Sequence, residues 1–161
     1  MKGMSRAIKV MSIDINVQYA TDWPDLPDEN KIRTWVETAL KDLKENAELT
    51  IRIVDEEEGT QLNEKWRKSK GPTNVLSFAY GGGKEIGLES LGDIVICAPV
   101  VDQEATEQNK NNHAHWAHMI VHGVLHLNGF DHINPEDADH MENLEIKILE
   151  KLNVKNPYLS N

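Results

Sequence analysis

The chain predicts an α+β fold, a single domain spanning residues 1–161 in which a small mixed β-sheet is flanked by helices. Three observations carry this expectation. Segments with strand-like alternation and segments with helical apolar spacing are interspersed in the first part of the chain, and helical spacing dominates the last part. The 161 residues, 39% of them hydrophobic, suffice for one sizeable core and would be cramped as two domains. The segment 122–132, HGVLHLNGFDH, reads as the end of a helix followed by a tight turn, with a histidine at each end and one between.

Taken in order, residues 8–19 alternate well enough (Ile8, Val10 and Ser12, then Ile13, Ile15 and Val17) to form a strand with one irregularity. After an acidic, proline-containing connector, Pro27, Asp28 and Glu29 open a helix whose apolar stripe is Ile32, Trp35, Val36, Ala39, Leu40 and Leu43. Leu49 to Val54 is a second strand, Asp55 to Lys68 a second helix and Asn74 to Tyr80 a third strand. Gly81, Gly82, Gly83 and Lys84 match neither glycine-rich phosphate-binding pattern and are read as a hairpin loop leading to a strand over Leu91 to Cys97. Beyond Pro99 a long helical stretch breaks near Asn109 to Asn112 before the histidine helix, His113 to Asn128. The last helix opens at Pro135, Glu136 and Asp137 and buries Met141, Leu144, Ile148, Leu149 and Leu152. No internal repeat or low-complexity segment interrupts this pattern.

Composition narrows the function. No apolar run reaches membrane-spanning length and the N-terminal stretch carries charges, so a cytoplasmic protein without membrane contact is expected. The single Cys97 forbids an internal disulfide, and its place in an apolar run makes it a buried, inert thiol. A formal net charge of -10 repels nucleic acid as a whole, so any such binding must rest on a local patch or on a metal. The one dense basic stretch is Lys65, Trp66, Arg67, Lys68, Ser69 and Lys70, which suits a solvated helix face or contact with phosphate. Ser77 has no partners that would make it a nucleophile.

The histidines carry the chemistry. At about 100° per residue, His122 and His126 lie on one helix face about 6 Å apart along the axis, so both can reach one ion. Gly129 suits a left-handed residue that ends the helix and turns the chain back, bringing His132 round as a third ligand. Three protein nitrogens leave a fourth tetrahedral position open, the pattern of a catalytic zinc. The spacing equals that of the long zincin motif H-E-x-x-H-x-x-G-x-x-H, but Gly123 stands where a zincin peptidase has its general-base Glu. The site is therefore related in geometry and different in chemistry; the alternative is a set of neutral histidines packed in a helix interface.

Together with Leu62, Asn63, Trp66 and Arg67, with Pro72 to Phe78, and with Leu91 to Ile94, the histidine block resembles the YbeY family of bacterial endoribonucleases, in the family's order and over most of residues 49 to 145. The resemblance implies a small sheet flanked by helices with the metal in a cleft, one Zn2+ held by His122, His126 and His132, and a functional arginine at Arg67. It also implies cleavage of single-stranded RNA in ribosomal RNA maturation, at the 16S 3′ end, and in ribosome quality control, with the small ribosomal subunit and its proteins as partners and DNA excluded. Trp66 stands where the family often has Tyr.

On this reading zinc activates water and polarises a phosphoryl oxygen, while the planar fork of Arg67 takes part of the growing charge. Lys65 and Lys68 are candidate phosphate contacts and Trp66 a stacking platform for a base. His118, one turn before His122, either serves catalysis as a phosphate donor or proton shuttle, or orients and packs from behind the metal. His113 and His115 are assigned to solvent or capping, and His140 to solvent. Asp131 either orients an imidazole or holds a turn, and Asp93 reads as a structural hydrogen-bonding group. Two rivals stand beside the nuclease: a metallopeptidase, disfavoured by Gly123, and a ribosome assembly factor whose metal is mainly structural, which the acidic composition suits.

Overall fold

The apolar alternation becomes a sheet whose two faces have different work. In the computed structural model, which describes residues 12–80 and 89–159, β1 (Ser12–Ala20), β2 (Asn46–Val54), β3 (Val75–Ala79) and β4 (Glu89–Cys97) lie in the order β1-β2-β4-β3. β1, β2 and β4 run parallel, and β3 pairs antiparallel to β4, which leaves β3 at an edge of this mixed sheet. The helices are α1 (Glu29–Leu40), α2 (Glu56–Leu62), α3 (Ala98–Glu107), α4 (Asn112–Leu127) and α5 (Pro135–Lys151). The single α+β domain predicted from the sequence is the one observed.

Side chains alternate across the strands, so Ile15, Leu49, Ile51, Ile53, Ile94 and Ile96 face one way and pack with residues of α1, α4 and α5 as the main core. Val54, Leu76, Val95 and Cys97 face the other way, against Leu62 and Val100. Helix α4 is the centre of the molecule: it touches α1, α3, α5, β3 and β4, and residues 115–121 are all buried. That explains why its sequence is apolar on nearly every face. Gly92 fits the edge pairing: at φ +138 its added Cβ would fall 2.0 Å from the Phe78 carbonyl oxygen, so only glycine lets β3 close on β4 there.

Two local readings change. The helix expected over Asp55 to Lys68 is α2 followed by a π-helical turn, Asn63–Arg67, which ends in left-handed Lys68 (φ 58). Buried Asn63 ties this turn down by donating from Nδ2 to the Gly71 carbonyl at 2.7 Å. Leu144 in α5 and Leu152, which caps its C-terminus, are only part-buried, and Glu145 takes a place in the buried stripe between Met141 and Ile148. Residues 8–11 of the expected first strand, and the loop from Gly81 to Lys84, lie outside the described residues. Among the described residues no helix is long and apolar enough to cross a membrane.

Candidate metal centre

The site begins with how α4 starts and stops. Asn111 caps its N-terminus, its side chain accepting from Ala114 N at 3.1 Å. At the other end Gly129 adopts φ +93, Gly129 N donates to His126 O at 3.0 Å and Phe130 N to Leu125 O at 3.1 Å. This closure folds the chain back over the last helical turn. Phe130 stacks on exposed His140 of α5, ring centroids 5.5 Å apart, which pins the returning segment.

His132 consequently comes back beside the helix. Ring centroids lie 4.7 Å apart for His122 and His126, 5.4 Å for His122 and His132, and 5.2 Å for His126 and His132. One nitrogen from each ring lies within 4.8 Å of the other two, so the three could hold one metal ion. His122 and His126 are half-buried and His132 is exposed, which opens the cluster to solvent on one side.

Behind the cluster stands a carboxylate that the sequence reading missed. Glu145 is fully buried, and His122 Nδ1 lies 2.6 Å from its Oε2. Its Oε1 lies 2.9 Å from His118 Nε2 and also accepts from the Tyr158 hydroxyl, itself 3.2 Å from the same histidine nitrogen. With Nδ1 of His122 committed to Glu145, Nε2 is the nitrogen left for a metal. Burial alone would raise the Glu145 pKa, but the hydrogen bonds from His118, His122 and Tyr158 outweigh it and hold the carboxyl at about 2. Burial lowers the pKa of His118 despite Glu145, and burial with the neighbouring His122 and His132 lowers that of His126, favouring the neutral imidazole that binds metals.

The remaining histidines divide differently from expectation. His115 is 3% exposed and donates from Nε2 to Glu104 at 2.9 Å, so its assignment to solvent or capping is wrong: α3 packs beside it and Asn111 does the capping. His113 sits near Lys31 Nζ, 2.9 Å from its Nδ1, and edge-on to the Trp35 ring. Gly123 faces the sheet; its added Cβ would lie 3.0 Å from Ile94 Cγ2, so the zincin glutamate position is here a packing contact. Asp131 accepts from Ile133 N at 3.3 Å, a turn contact, and Asp93 accepts from the Tyr80 hydroxyl at 2.7 Å. Among the described residues, the Ser77 hydroxyl makes only a 3.4 Å hydrogen bond, to the Gly123 carbonyl. Cys97 is buried, and burial pushes its thiol up to about 11.

The basic stretch belongs to another element. Lys65, Trp66 and Arg67 lie in the π-helical turn, and all three, with Lys68, are exposed. Trp66 meets Phe78 edge-on at 6.3 Å, and the Lys65 ammonium lies 5.2 Å from the Trp66 ring centre. Phe78 points to the sheet face opposite the one that α4 covers, whereas its neighbour Ser77 reaches α4. The Arg67 guanidinium makes no hydrogen bond or ion pair with another described residue. The basic turn meets β3 through Trp66 and Phe78, and α4 packs on the same strand through Ser77 and Gly123.

Relatives show which family the chain belongs to. The family model for endoribonuclease YbeY matches residues 16–153, a span that runs from within β1 past the end of α5 and includes all three clustered histidines. The chain belongs to the endoribonuclease YbeY family. Membership makes it a hydrolytic nuclease. It is 54% identical over 149 residues to the endoribonuclease YbeY of Coxiella burnetii strain Dugway 5J108-111, covering 91% of this chain and 98% of that protein. The protein of the same name from strain RSA 331 / Henzerling II matches to the same extent. A solution structure of a Thermotoga maritima protein shares the fold, with a TM-score of 0.56 and 20% identity over 91% of this chain and 97% of the other.

Proposed function

We propose that this YbeY-family chain is a zinc-dependent endoribonuclease that cuts single-stranded RNA, and that its cellular targets are ribosomal RNA ends and defective ribosomes in the cytoplasm. The observation that carries the metal-dependent part is the convergence of three imidazole nitrogens within 4.8 Å, with one ring anchored from behind by a buried carboxylate. Three imidazole donors suit zinc, whose catalytic sites commonly have three protein ligands. His122, His126 and His132 would hold the ion. When bound, zinc would acidify water and polarise a phosphoryl oxygen.

The chain's own residues do the rest. Glu145 fixes which nitrogen of His122 faces the ion, and His118 and Tyr158 keep Glu145 in place. Arg67, with no described partner for its guanidinium, is free to donate two hydrogen bonds to the phosphate under attack. Lys65 and Lys68 beside it attract the flanking phosphates, a local patch on a chain of net charge -10. A peptidase role is disfavoured because Gly123 supplies no carboxylate and its position points into the sheet contact.

Cleavage of an end-labelled single-stranded RNA, with zinc content measured on the same samples, tests this for wild type and His126→Ala. Wild type is expected to carry about one zinc per chain and to cut, and the variant to fold while doing neither. Zinc-loaded wild type that leaves RNA intact at every concentration would favour an assembly factor with a structural metal.

A further inference from the structure

The sheet face that α4 does not cover carries a cleft of about 540 Å3, within the range of small-ligand pockets. Its walls include Trp66, Phe78 and Tyr80, with Arg52, Glu58 and Asp93 among the polar groups. Trp66 and Tyr80 are 60% and 54% exposed, an arrangement that folding alone gives no reason to keep. Resting on the RNA-cleaving reading above, we propose that this cleft is a nucleobase-stacking subsite for single-stranded RNA, placed across edge strand β3 from the metal centre.

The chemistry of the cleft selects a base over a phosphate. Arg52 is already spent: its Nε and Nη2 donate to Glu58 at 2.6 and 3.0 Å and its Nη1 to Gln18 at 2.9 Å, so it offers phosphate little. Asp93 and Glu58 repel an anion, whereas the second oxygen of Asp93, not used by Tyr80, can accept from the N–H groups of a base. The aromatic rings are held from behind: Tyr80 by its hydroxyl on Asp93, Trp66 by its edge contact with Phe78 and by the π-helical turn. Positive charge lies in the same stretch as Trp66 instead, on exposed Lys65, Lys68 and Lys70, available to the backbone of a strand whose base enters the cleft. Bases inside and phosphates outside is the layout of a single-strand binding groove.

β3 explains how one strand reaches both places. Ser77 faces α4 and Phe78 faces the cleft, and β3 has no further strand on its outer side among the described residues. A single strand crossing that edge would place one nucleotide at the metal centre and another a fixed number of residues away on Trp66. A duplex is too stiff to make this turn.

The test uses RNAs carrying one abasic residue at successive positions, with wild type, Trp66→Leu and Tyr80→Leu compared. KM and kcat are measured on zinc-loaded protein, and RNA binding on metal-stripped protein by fluorescence anisotropy. In wild type, one or two positions at a constant distance from the cut are expected to weaken binding about tenfold when made abasic. In Trp66→Leu those positions lose their effect and KM for the intact RNA rises about tenfold. Equal abasic penalties in wild type and both variants would overturn the subsite, as would penalties absent from all three. Position-dependent binding without any cleavage would support the subsite while sinking the nuclease reading; cleavage without abasic dependence would do the reverse.

Discussion

Replacing Glu145 with Gln changes almost no volume and removes one charge from the fully buried carboxylate that joins His122, His118 and Tyr158. In the native arrangement every contact to Glu145 is a donor to an acceptor. An amide turns one of its two oxygens into a donor, so either His122 Nδ1 or His118 Nε2 must change tautomer or lose its partner. One unsatisfied buried group costs about 1–3 kcal/mol, and Glu145→Ala, which removes all three contacts and leaves a cavity, costs about 3–5 kcal/mol. Urea unfolding of the metal-free proteins measures these numbers. If the amide nitrogen faces His122, the ring presents the wrong nitrogen to the ion, and zinc affinity falls about 10- to 100-fold. Competition with a chromophoric chelator reads that loss without reference to cleavage. Glu145→Asp, shorter but still anionic, is expected to recover part of it. Zinc affinity within about threefold of wild type in both Glu145→Gln and Glu145→Ala would refute the claim that this carboxylate orients a ligand.

Other outcomes follow from the same geometry. Gly123→Ala is expected to lower stability by about 1–3 kcal/mol, seen as a reduced Tm, because its Cβ meets Ile94 Cγ2 at 3.0 Å; an unchanged Tm would mean the helix and sheet have slack there. Arg67→Lys is expected to cut the rate of RNA cleavage by about 100-fold with zinc content unchanged, since an ammonium lacks the planar fork; near-normal cleavage would remove Arg67 from the chemistry. Cys97, buried and with its thiol pushed up to about 11, is expected to resist alkylation in the native protein at pH 8 and to react on unfolding; rapid native labelling would contradict its burial. The metal-free protein should lose stability on acidification. Glu145 titrates from its ordinary 4.5 to about 2 on folding, so the stability its ionised form contributes is intact above pH 4.5 and disappears as pH falls through about 2. His118 and His126, both lowered, act with the same sign at higher pH. A flat stability profile between pH 7 and 3 would contradict this.

What could be read from the sequence was what depends on local period and local turn chemistry. The stripe Ile32, Trp35, Val36, Ala39 and Leu40 is buried as its spacing required, and Gly129 takes the positive φ that brings His132 back. The sheet order was not legible, because nothing local says that β4 inserts between β2 and β3. His115 was misplaced for a similar reason: its partner Glu104 comes from α3, and only the packing of two helices brings them together. Glu145 did leave a signal. It falls four residues after Met141 and three before Ile148, so a carboxylate occupied a position whose period demanded burial, and a buried carboxylate needs donors. Tyr158 left none, since it lies in the irregular segment after α5.

Glu145 also bears on where the proton goes during cleavage. A general base must have a free oxygen near the water or hydroxyl it serves, and a pKa near the working pH. Glu145 has neither: both its oxygens are engaged, it is sealed from solvent, and its carboxyl is held at about 2. Its part is to hold His122, so its removal should alter how tightly zinc binds and leave untouched the ionisations that set the rate. At saturating zinc, Glu145→Gln is therefore expected to give a pH profile of kcat with the same midpoints as wild type and a lower plateau. Loss of an acid limb in the variant would mean that this carboxylate, or the His118 it holds, moves the proton itself.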